Sequence, residues 1–170
     1  MIPPTVLAIQ IGELCRRLDV PYRVVRYVLE EGCIPEGADL APERGNHRLL
    51  SGGQAFWLAV LVKLKQCGFR TAVAKQIADR AQEHLRGIAQ NLSYDPGFHP
   101  FRGRFQTDHQ WFVEVGDAKY VRVLTSCNPS GGGQLEAYPW QRIGERKTVE
   151  VDPVVIVGLN VARLAEMLAN

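Results

Sequence analysis

The sequence has no long apolar run and no basic start of the kind that opens a secretory signal peptide. A helix that spans a bilayer needs about 20 consecutive apolar residues. The most apolar stretch, residues 151–162, is shorter and contains Asp152 and Asn160. These absences argue against an integral membrane protein and against a secreted one, and we expect a cytoplasmic location.

The cysteines are too scattered to suggest a metal site or a redox pair. None of them belongs to a CxxC pair, the spacing that often marks zinc and redox sites. We interpret them as reduced, structural cysteines, with metal ligation and a disulfide as alternatives. The four residues are Cys15, Cys33, Cys67 and Cys127.

The chain also lacks a large net charge, which is only +2. The net charge of the whole chain therefore gives no reason to expect that it binds nucleic acid. The charge is unevenly distributed, however. Residues 1–104 hold 14 Lys and Arg against 10 Asp and Glu, while residues 105–170 hold 6 against 8. The positive excess therefore lies in the first part of the chain, where we look for a nucleic-acid reader.

Apolar periodicity near the N-terminus predicts two short helices joined by a tight turn. The first has apolar residues at i, i+3, i+4 and i+7 from Ile11. Pro21 suits the first position of a second helix over about 21–31, and Gly32 suits its left-handed C-terminal cap. This arrangement is a helix-turn-helix, whose second helix can enter a major groove. The residues near its exposed side are Tyr22, Arg23, Arg26 and Tyr27.

The turn-rich segment 36–50 predicts a β-hairpin tip, here called the wing, at residues 44–48. Its arginines can reach phosphates, although an ordinary solvated loop is the alternative for this segment taken alone. Ser51 and Gln54 predict a capping box. The helix that follows, over about 52–66, is apolar on more than one face, which predicts packing on two sides.

Taken together, these pieces resemble the DNA-binding domain of the MerR family, a winged helix-turn-helix, over residues 9–81. The resemblance rests on IGEL, Val20, Arg26-Tyr27, EEGCIP, NHRLLS and KQCGFR, in this order. It implies that the chain binds double-stranded DNA. Two departures stand out. No heptad run follows the fourth helix, where many members dimerise through a coiled coil, and the metal-sensing cysteines of some members have no counterpart.

The resemblance also implies a set of DNA-contacting residues. The arginine and tyrosine of the family's second helix correspond to Arg26 and Tyr27, and the family's wing positions correspond to His47 and Arg48. Arg26 and Arg48 could instead be surface arginines that anchor their own domain. Tyr22 and Tyr27 could instead be packing residues whose hydroxyls lie in water. The full set is Arg16, Arg17, Tyr22, Arg23, Arg26, Tyr27, His47 and Arg48.

From Phe105 onward the apolar period changes to two, which is typical of strands. It predicts a hairpin over about 111–125, a third strand over 135–143, a fourth over 148–157 and a final helix over 159–169. One group of histidine and aspartate residues could suggest catalysis, but its spacing is not characteristic of a catalytic site or a metal site. We therefore expect no enzyme activity, no metal and no cofactor. That group is His99, Asp108 and His109.

The sequence thus predicts an α+β protein with a MerR-like winged helix-turn-helix over residues 1–92 and a linker over 93–104. A small antiparallel β domain with a C-terminal helix follows over 105–170, for oligomerisation or sensing. One reader contacts too little DNA for strong specificity, so we expect a homodimer through residues 105–170 and the helix over 52–66.

The expected function is that of a bacterial transcription regulator that reads the major groove with helix 21–31. Two alternatives use the same reader type. One is a DNA architectural or recombination accessory factor of the excisionase kind, and the other is a protein-interaction adapter that has lost DNA binding. The sequence indicates no particular small-molecule effector.

Overall fold

The computed structural model describes residues 8–38, 49–91, 111–125 and 136–169. The wing at 44–48, the linker at 93–104 and four residues named above lie outside these ranges: His99, Asp108, His109 and Cys127. A helical N-terminal region is followed by an antiparallel sheet, so the α+β fold class is confirmed.

The chain forms two compact units. The first contains residues 1–103 together with 164–170, and the second contains residues 104–163. The last seven residues therefore group with the N-terminal unit, whereas the sequence analysis assigned them to the C-terminal domain.

The first unit contains four helices and two short strands ahead of the C-terminal residues. In chain order they are β1 Ala8–Gln10, α1 Ile11–Leu18, α2 Tyr22–Glu30, β2 Leu49–Ser51, α3 Gly52–Gln66 and α4 Thr71–Asn91. The two strands pair antiparallel, with Ile9 opposite Leu50, and both of these residues are buried. Neither strand was predicted.

The first two helices follow their apolar patterns. The predicted stripe of α1 is buried from Ile11 to Leu18, and a core of Val25, Val28 and Leu29 anchors α2. The second helix begins one residue later than predicted, because Pro21 is its N-cap rather than its first helical residue. Gly32 has φ +82°, which confirms the left-handed conformation predicted after this helix.

Helix α3 lies at the centre of the first unit. Its capping box is present: the amide N–H of Gln54 donates to the Ser51 hydroxyl, and the Ser51 N–H donates to the Gln54 side chain. Every residue from Ala55 to Val62 is buried within the single chain. The helix packs against α1, α2, α4, β1 and β2. The prediction of packing on two sides is confirmed, but both sides are covered inside the chain.

This burial corrects the expected dimer surface. Apolar side chains that are already removed from water gain nothing further from a second subunit. The apolar side chains of the helix over 52–66 therefore cannot form the expected contact between copies.

Helix α4 packs on α3 through small residues and through side-chain hydrogen bonds. The indole N–H of Trp57 donates to Asp79 at 2.7 Å between Nε1 and Oδ1, which satisfies a donor that is otherwise costly to bury. The described side chains of α4 that are buried are Ala74, Ile77, Ala78 and Ala81. The side chains of residues 84–91 are outside those that the structure describes.

The second unit is an antiparallel sheet. Its strands are β3 Trp111–Gly116, β4 Tyr120–Thr125, β5 Glu136–Ala137, β6 Gln141–Arg142 and β7 Ile156–Asn160, and helix α5 Val161–Ala169 follows directly. The order is β5-β4-β3-β7, and β6 also pairs with β4. The hairpin predicted over 111–125 is confirmed, with Val113 opposite Val123.

The other two strands differ from their predictions. The third is split into β5 and β6 at residues 138–140. The Tyr138 N–H still donates to the Val123 carbonyl of β4 at 2.9 Å, but Pro139 has no N–H to continue the ladder. The fourth begins at Ile156 instead of 148. The Asp117 carboxylate accepts the amide N–H groups of Val154 and Val155, at 3.3 Å and 2.9 Å. These two residues are thus held by a side chain before the ladder with β3 begins.

Within the described ranges, no helix is both long enough and apolar enough to cross a membrane.

Candidate nucleic-acid interface

Helix α2 has one buried face and one exposed face. Val25, Val28 and Leu29 face the core. The opposite face presents four residues at positions i, i+1, i+4 and i+5, which lie side by side on a helix. Tyr22 and Tyr27 are 52% and 53% exposed, large values for aromatic residues. The four residues are Tyr22, Arg23, Arg26 and Tyr27.

The turn before α2 is held by hydrogen bonds that fix the direction of the exposed face. Asp19 adopts a left-handed conformation with φ +52°, and the Val20 N–H donates to the carbonyl of Cys15 at 3.0 Å. The ammonium group of Lys63, from α3, donates to the carbonyl of Leu18 at 2.8 Å. A cation at this helix end is favourable because the C-terminal carbonyls carry partial negative charge.

Arg26 projects into solvent but is paired. Its Nε donates to Glu30 Oε1 at 2.7 Å, and the two side chains are 66% and 58% exposed. The Glu30 carboxylate raises the pKa of Arg26 above its usual value. An exposed i,i+4 ion pair contributes little to stability in water. A phosphate or a base edge can therefore compete with Glu30 for the guanidinium.

Tyr27 belongs to a polar cluster that ties α2 to the helices behind it. Its ring centre lies 5.6 Å from the Lys65 ammonium, and its hydroxyl donates to Glu31, which raises the pKa of Tyr27. Thr71 donates its hydroxyl to the Glu31 carboxylate and accepts from Lys65 at 2.7 Å. Both hydrogen bonds lower the pKa of Glu31, and the bond from Thr71 has a larger effect than the bond from Tyr27.

Sequence reasoning missed this cluster. Lys65 and Thr71 come from the end of α3 and the start of α4, far along the chain from Glu31. No local pattern marks their meeting, because it depends on how the three helices pack. The cluster fixes the C-terminal end of α2, and with it the position of Tyr27.

The two arginines of α1 have different surroundings. Arg16 is 69% exposed and binds both oxygens of Glu13, at 2.8 Å and 2.6 Å. Arg17 is only 18% exposed; it donates to Glu13 at 2.7 Å and to the carbonyl of Leu168. The hydrogen bonds from Arg16, then Arg17, lower the pKa of Glu13 to about 2. Arg16 is thus presented to solvent, whereas Arg17 is turned inward.

The structure therefore groups part of the predicted set. Four residues share the exposed face of α2, here called the α2 face: Tyr22, Arg23, Arg26 and Tyr27. Arg16 is exposed on α1, and Arg17 is engaged within the first unit. His47 and Arg48 lie outside the described residues, and their part in DNA binding stays a prediction.

The cysteines of the first unit show no arrangement for metal. Among the residues that the structure describes, no three His, Cys, Asp or Glu side chains are placed to hold an ion. Cys15 and Cys33 are buried, and burial raises the pKa of both thiols. Cys67 is exposed at the end of α3, whereas the sequence analysis interpreted it as a structural cysteine.

Comparison with known proteins gives one match. The sequence model of the family described as "MerR HTH family regulatory protein" matches residues 9–81. No curated protein and no solved structure matches the chain. The matched range runs from β1 into α4 and contains the complete turn between α1 and α2. This family consists of regulators that bind double-stranded DNA. Residues 9–81 therefore match the helix-turn-helix domain of this family.

Proposed function

We propose that this protein is a transcription regulator that binds double-stranded DNA at specific sequences. In this proposal helix 21–31 enters the major groove and the wing 44–48 contacts flanking phosphates. The observation that supports it is the α2 face, on which two arginines and two tyrosines are exposed together while the other side of the helix is anchored in the core.

The chemistry of the α2 face suits a nucleic acid. A guanidinium can donate two parallel hydrogen bonds to the O6 and N7 atoms of guanine, the commonest specific contact in the major groove. Both tyrosines offer a flat apolar ring, and the Tyr22 hydroxyl can donate to a phosphate oxygen, whereas that of Tyr27 donates to Glu31. Arg16 adds an exposed cation from α1. Phosphate contacts supply affinity that depends on salt, and base contacts supply discrimination.

Arg17 is left out of the proposed contact set. A side chain that is 18% exposed and bound to both Glu13 and Leu168 would have to break internal hydrogen bonds to reach DNA. We assign Arg17 to the stability of the first unit. The proposed set is Arg16, Tyr22, Arg23, Arg26 and Tyr27, with His47 and Arg48 from the wing.

We also propose that the regulator works as a homodimer, because one small reader gives limited specificity and two readers related by a twofold axis match a palindromic site. The burial of the apolar side chains of α3 argues against this helix as part of the contact. The contact is therefore proposed for residues 105–170.

The test is a comparison of selected and random DNA. Binding sites are first selected from a random duplex pool with the full chain, and affinities are then measured for the selected site and for random duplex. Arg26→Ala should weaken binding to the selected site roughly 10- to 100-fold and should reduce its preference over random duplex. Arg48→Ala should weaken both equally and lower the salt slope by about one.

A matched control is Arg142→Ala in the second unit. Arg142 is 58% exposed and faces Glu145 at 4.0 Å, so it resembles Arg26 in exposure and pairing. This variant should bind as the unchanged protein does. If Arg26→Ala reduces binding to selected and random duplex equally, α2 does not read sequence. If the unchanged chain selects no site, the proposal is wrong, and an adapter without DNA binding becomes the better explanation.

A further inference from the structure

Strand β7 is an edge of the sheet in the second unit. It pairs with β3 on one side, and on its other side none of the described strands adjoins it. The Asp117 N–H donates to the Val155 carbonyl at 2.8 Å. Because antiparallel ladders alternate, Val157 and Leu159 also direct their main-chain groups to β3. Ile156 and Gly158 then direct their N–H and C=O groups outward, and Asn160 directs its N–H outward, while its C=O starts the hydrogen bonding of α5.

The residues that lead into this edge are apolar, exposed and firmly held. Val154 is 92% exposed, Val155 59% and Ile156 46%. The Asp117 carboxylate holds the first two through their N–H groups. Exposed apolar edges are sites where another strand adds, and a segment held in place loses little entropy when it is covered.

Gly158, in the middle of β7, has no role in the packing of the described chain. It is exposed, and a Cβ atom added there would meet nothing within 4 Å. A glycine inside a strand weakens the strand by roughly 0.5–1 kcal/mol, and it often marks a place where another backbone approaches closely. No described residue of the chain is such a neighbour, so the space beside Gly158 is open to a strand of another chain.

We propose that β7 pairs antiparallel with β7 of a second copy, about a twofold axis at Gly158. Gly158 then lies opposite Gly158 of the second copy, and Ile156 lies opposite Asn160. Across the axis, the N–H of each Gly158 donates to the C=O of the other, and the Asn160 N–H donates to the Ile156 carbonyl of the second copy. The two sheets become one continuous sheet. This deepens the proposed function, because it names the surface that makes the homodimer.

Charge favours a second copy over an unrelated strand. No residue from Ile156 to Asn160 is charged, so the strand does not repel its own copy. Asp152 precedes the strand and Arg163 follows it. In an antiparallel pair the segment with Asp152 in one copy lies at the same end of the joined strands as the start of α5, with Arg163, in the other, and a twofold axis repeats this placement of opposite charges.

The experiment combines two measurements on the full chain without DNA. Sedimentation over a concentration series gives the dissociation constant of the dimer, and amide hydrogen exchange by NMR reports on each N–H. Where the dimer dominates, the amides of Gly158 and Asn160 should be protected, and dilution should remove their protection. Val157 and Leu159 should stay protected throughout, because they bond to β3.

Ile156→Lys tests the surface directly, since a cation at a strand edge opposes pairing. We expect the dissociation constant to rise at least roughly 10-fold. The matched control is Ile34→Lys in the first unit, because Ile34 is 48% exposed against 46% for Ile156. This control should leave the dissociation constant unchanged.

Three results would overturn the pairing. The chain could be monomeric at every concentration. It could form a dimer that Ile156→Lys leaves intact, with the outward amides unprotected. The outward amides could also be protected in a monomer, which would mean that another segment of the same chain covers the edge. If a monomer still selects a DNA site, only the pairing fails. If the dimer forms through β7 but selects no DNA, the proposed function fails and the pairing stands.

Discussion

The Arg17 guanidinium donates a hydrogen bond to the main-chain carbonyl oxygen of Leu168, in the last turn of α5. Both residues belong to the first unit, and Leu168 is completely buried. Carbonyls at the end of a helix lack partners within the helix, and a cation satisfies both their hydrogen bonding and their partial negative charge. Helix α1 thus holds the C-terminal end of α5 through a residue that the sequence suggested for DNA.

Arg17→Ala should therefore lower stability more than it lowers DNA binding. Loss of a charged hydrogen bond at a mostly buried site costs about 1–2 kcal/mol, which urea denaturation of the full chain can measure. Binding to the selected DNA site should keep its salt slope. Arg16→Ala is the control, because Arg16 is 69% exposed and should affect stability little. A weaker DNA complex with unchanged stability would return Arg17 to the DNA-binding set.

Glu30→Gln should strengthen DNA binding. The carboxylate now competes with DNA for the Arg26 guanidinium at 2.7 Å, and its negative charge lies on the helix that is proposed to enter the groove. Removing the charge should raise affinity roughly two- to fivefold at low salt, and the gain should shrink as salt rises. Fluorescence anisotropy with a labelled selected site measures both effects.

The matched control for this change is Glu145→Gln, which removes the acidic partner of Arg142 in the second unit. It should leave DNA affinity unaltered. An equal or lower affinity for Glu30→Gln would mean that Arg26 does not leave Glu30 when DNA binds.

Glu13 should make stability depend on pH in the acid range. Its pKa falls from 4.5 to about 2 in the folded chain, so its charged form is favoured by folding. The stabilisation is fully present above pH 4.5 and is lost as pH falls from 4.5 to about 2. The stability difference between the unchanged chain and Glu13→Gln should therefore vanish towards pH 2. Urea denaturation at several pH values measures it. A difference that persists at the acid limit would point to a cause other than charge.

Ser51→Ala should lower stability by about 1 kcal/mol, because it removes the hydroxyl that accepts the Gln54 N–H at the start of α3. Ser51→Thr keeps an acceptor at that position and serves as the control. Thermal unfolding of the two variants provides the comparison. If both variants lose the same stability, the loss comes from the strand position of Ser51 and not from the cap.

Where a pattern is local, the sequence predicted the structure well. The stripe of α1, the left-handed Gly32 and the capping box at Ser51 all depend on residues within a few positions of each other. The hairpin of β3 and β4 is similarly local. For the same reason the α2 face could be predicted, since one helix determines which of its residues lie together.

The errors come from contacts between distant parts of the chain. The strands β1 and β2 have three residues each and lie about forty positions apart, so neither has a pattern of its own. The apolar excess of α3 was correctly noted, but sequence could not show that the same chain covers it. The start of β7 was misplaced because Val154 and Val155 have strand-like side chains, and only the structure shows that Asp117 binds their N–H groups.

Three of the strands run straight into helices with no connecting residue: Gln10 precedes Ile11, Ser51 precedes Gly52 and Asn160 precedes Val161. At each junction one residue ends a ladder and also occupies the helix N-cap; Asn160 accepts the Arg163 N–H there. Inserting or deleting one amino acid at these points would shift a strand register and a helix start together. Relatives that differ in length should therefore carry their gaps elsewhere, such as between β5 and β6.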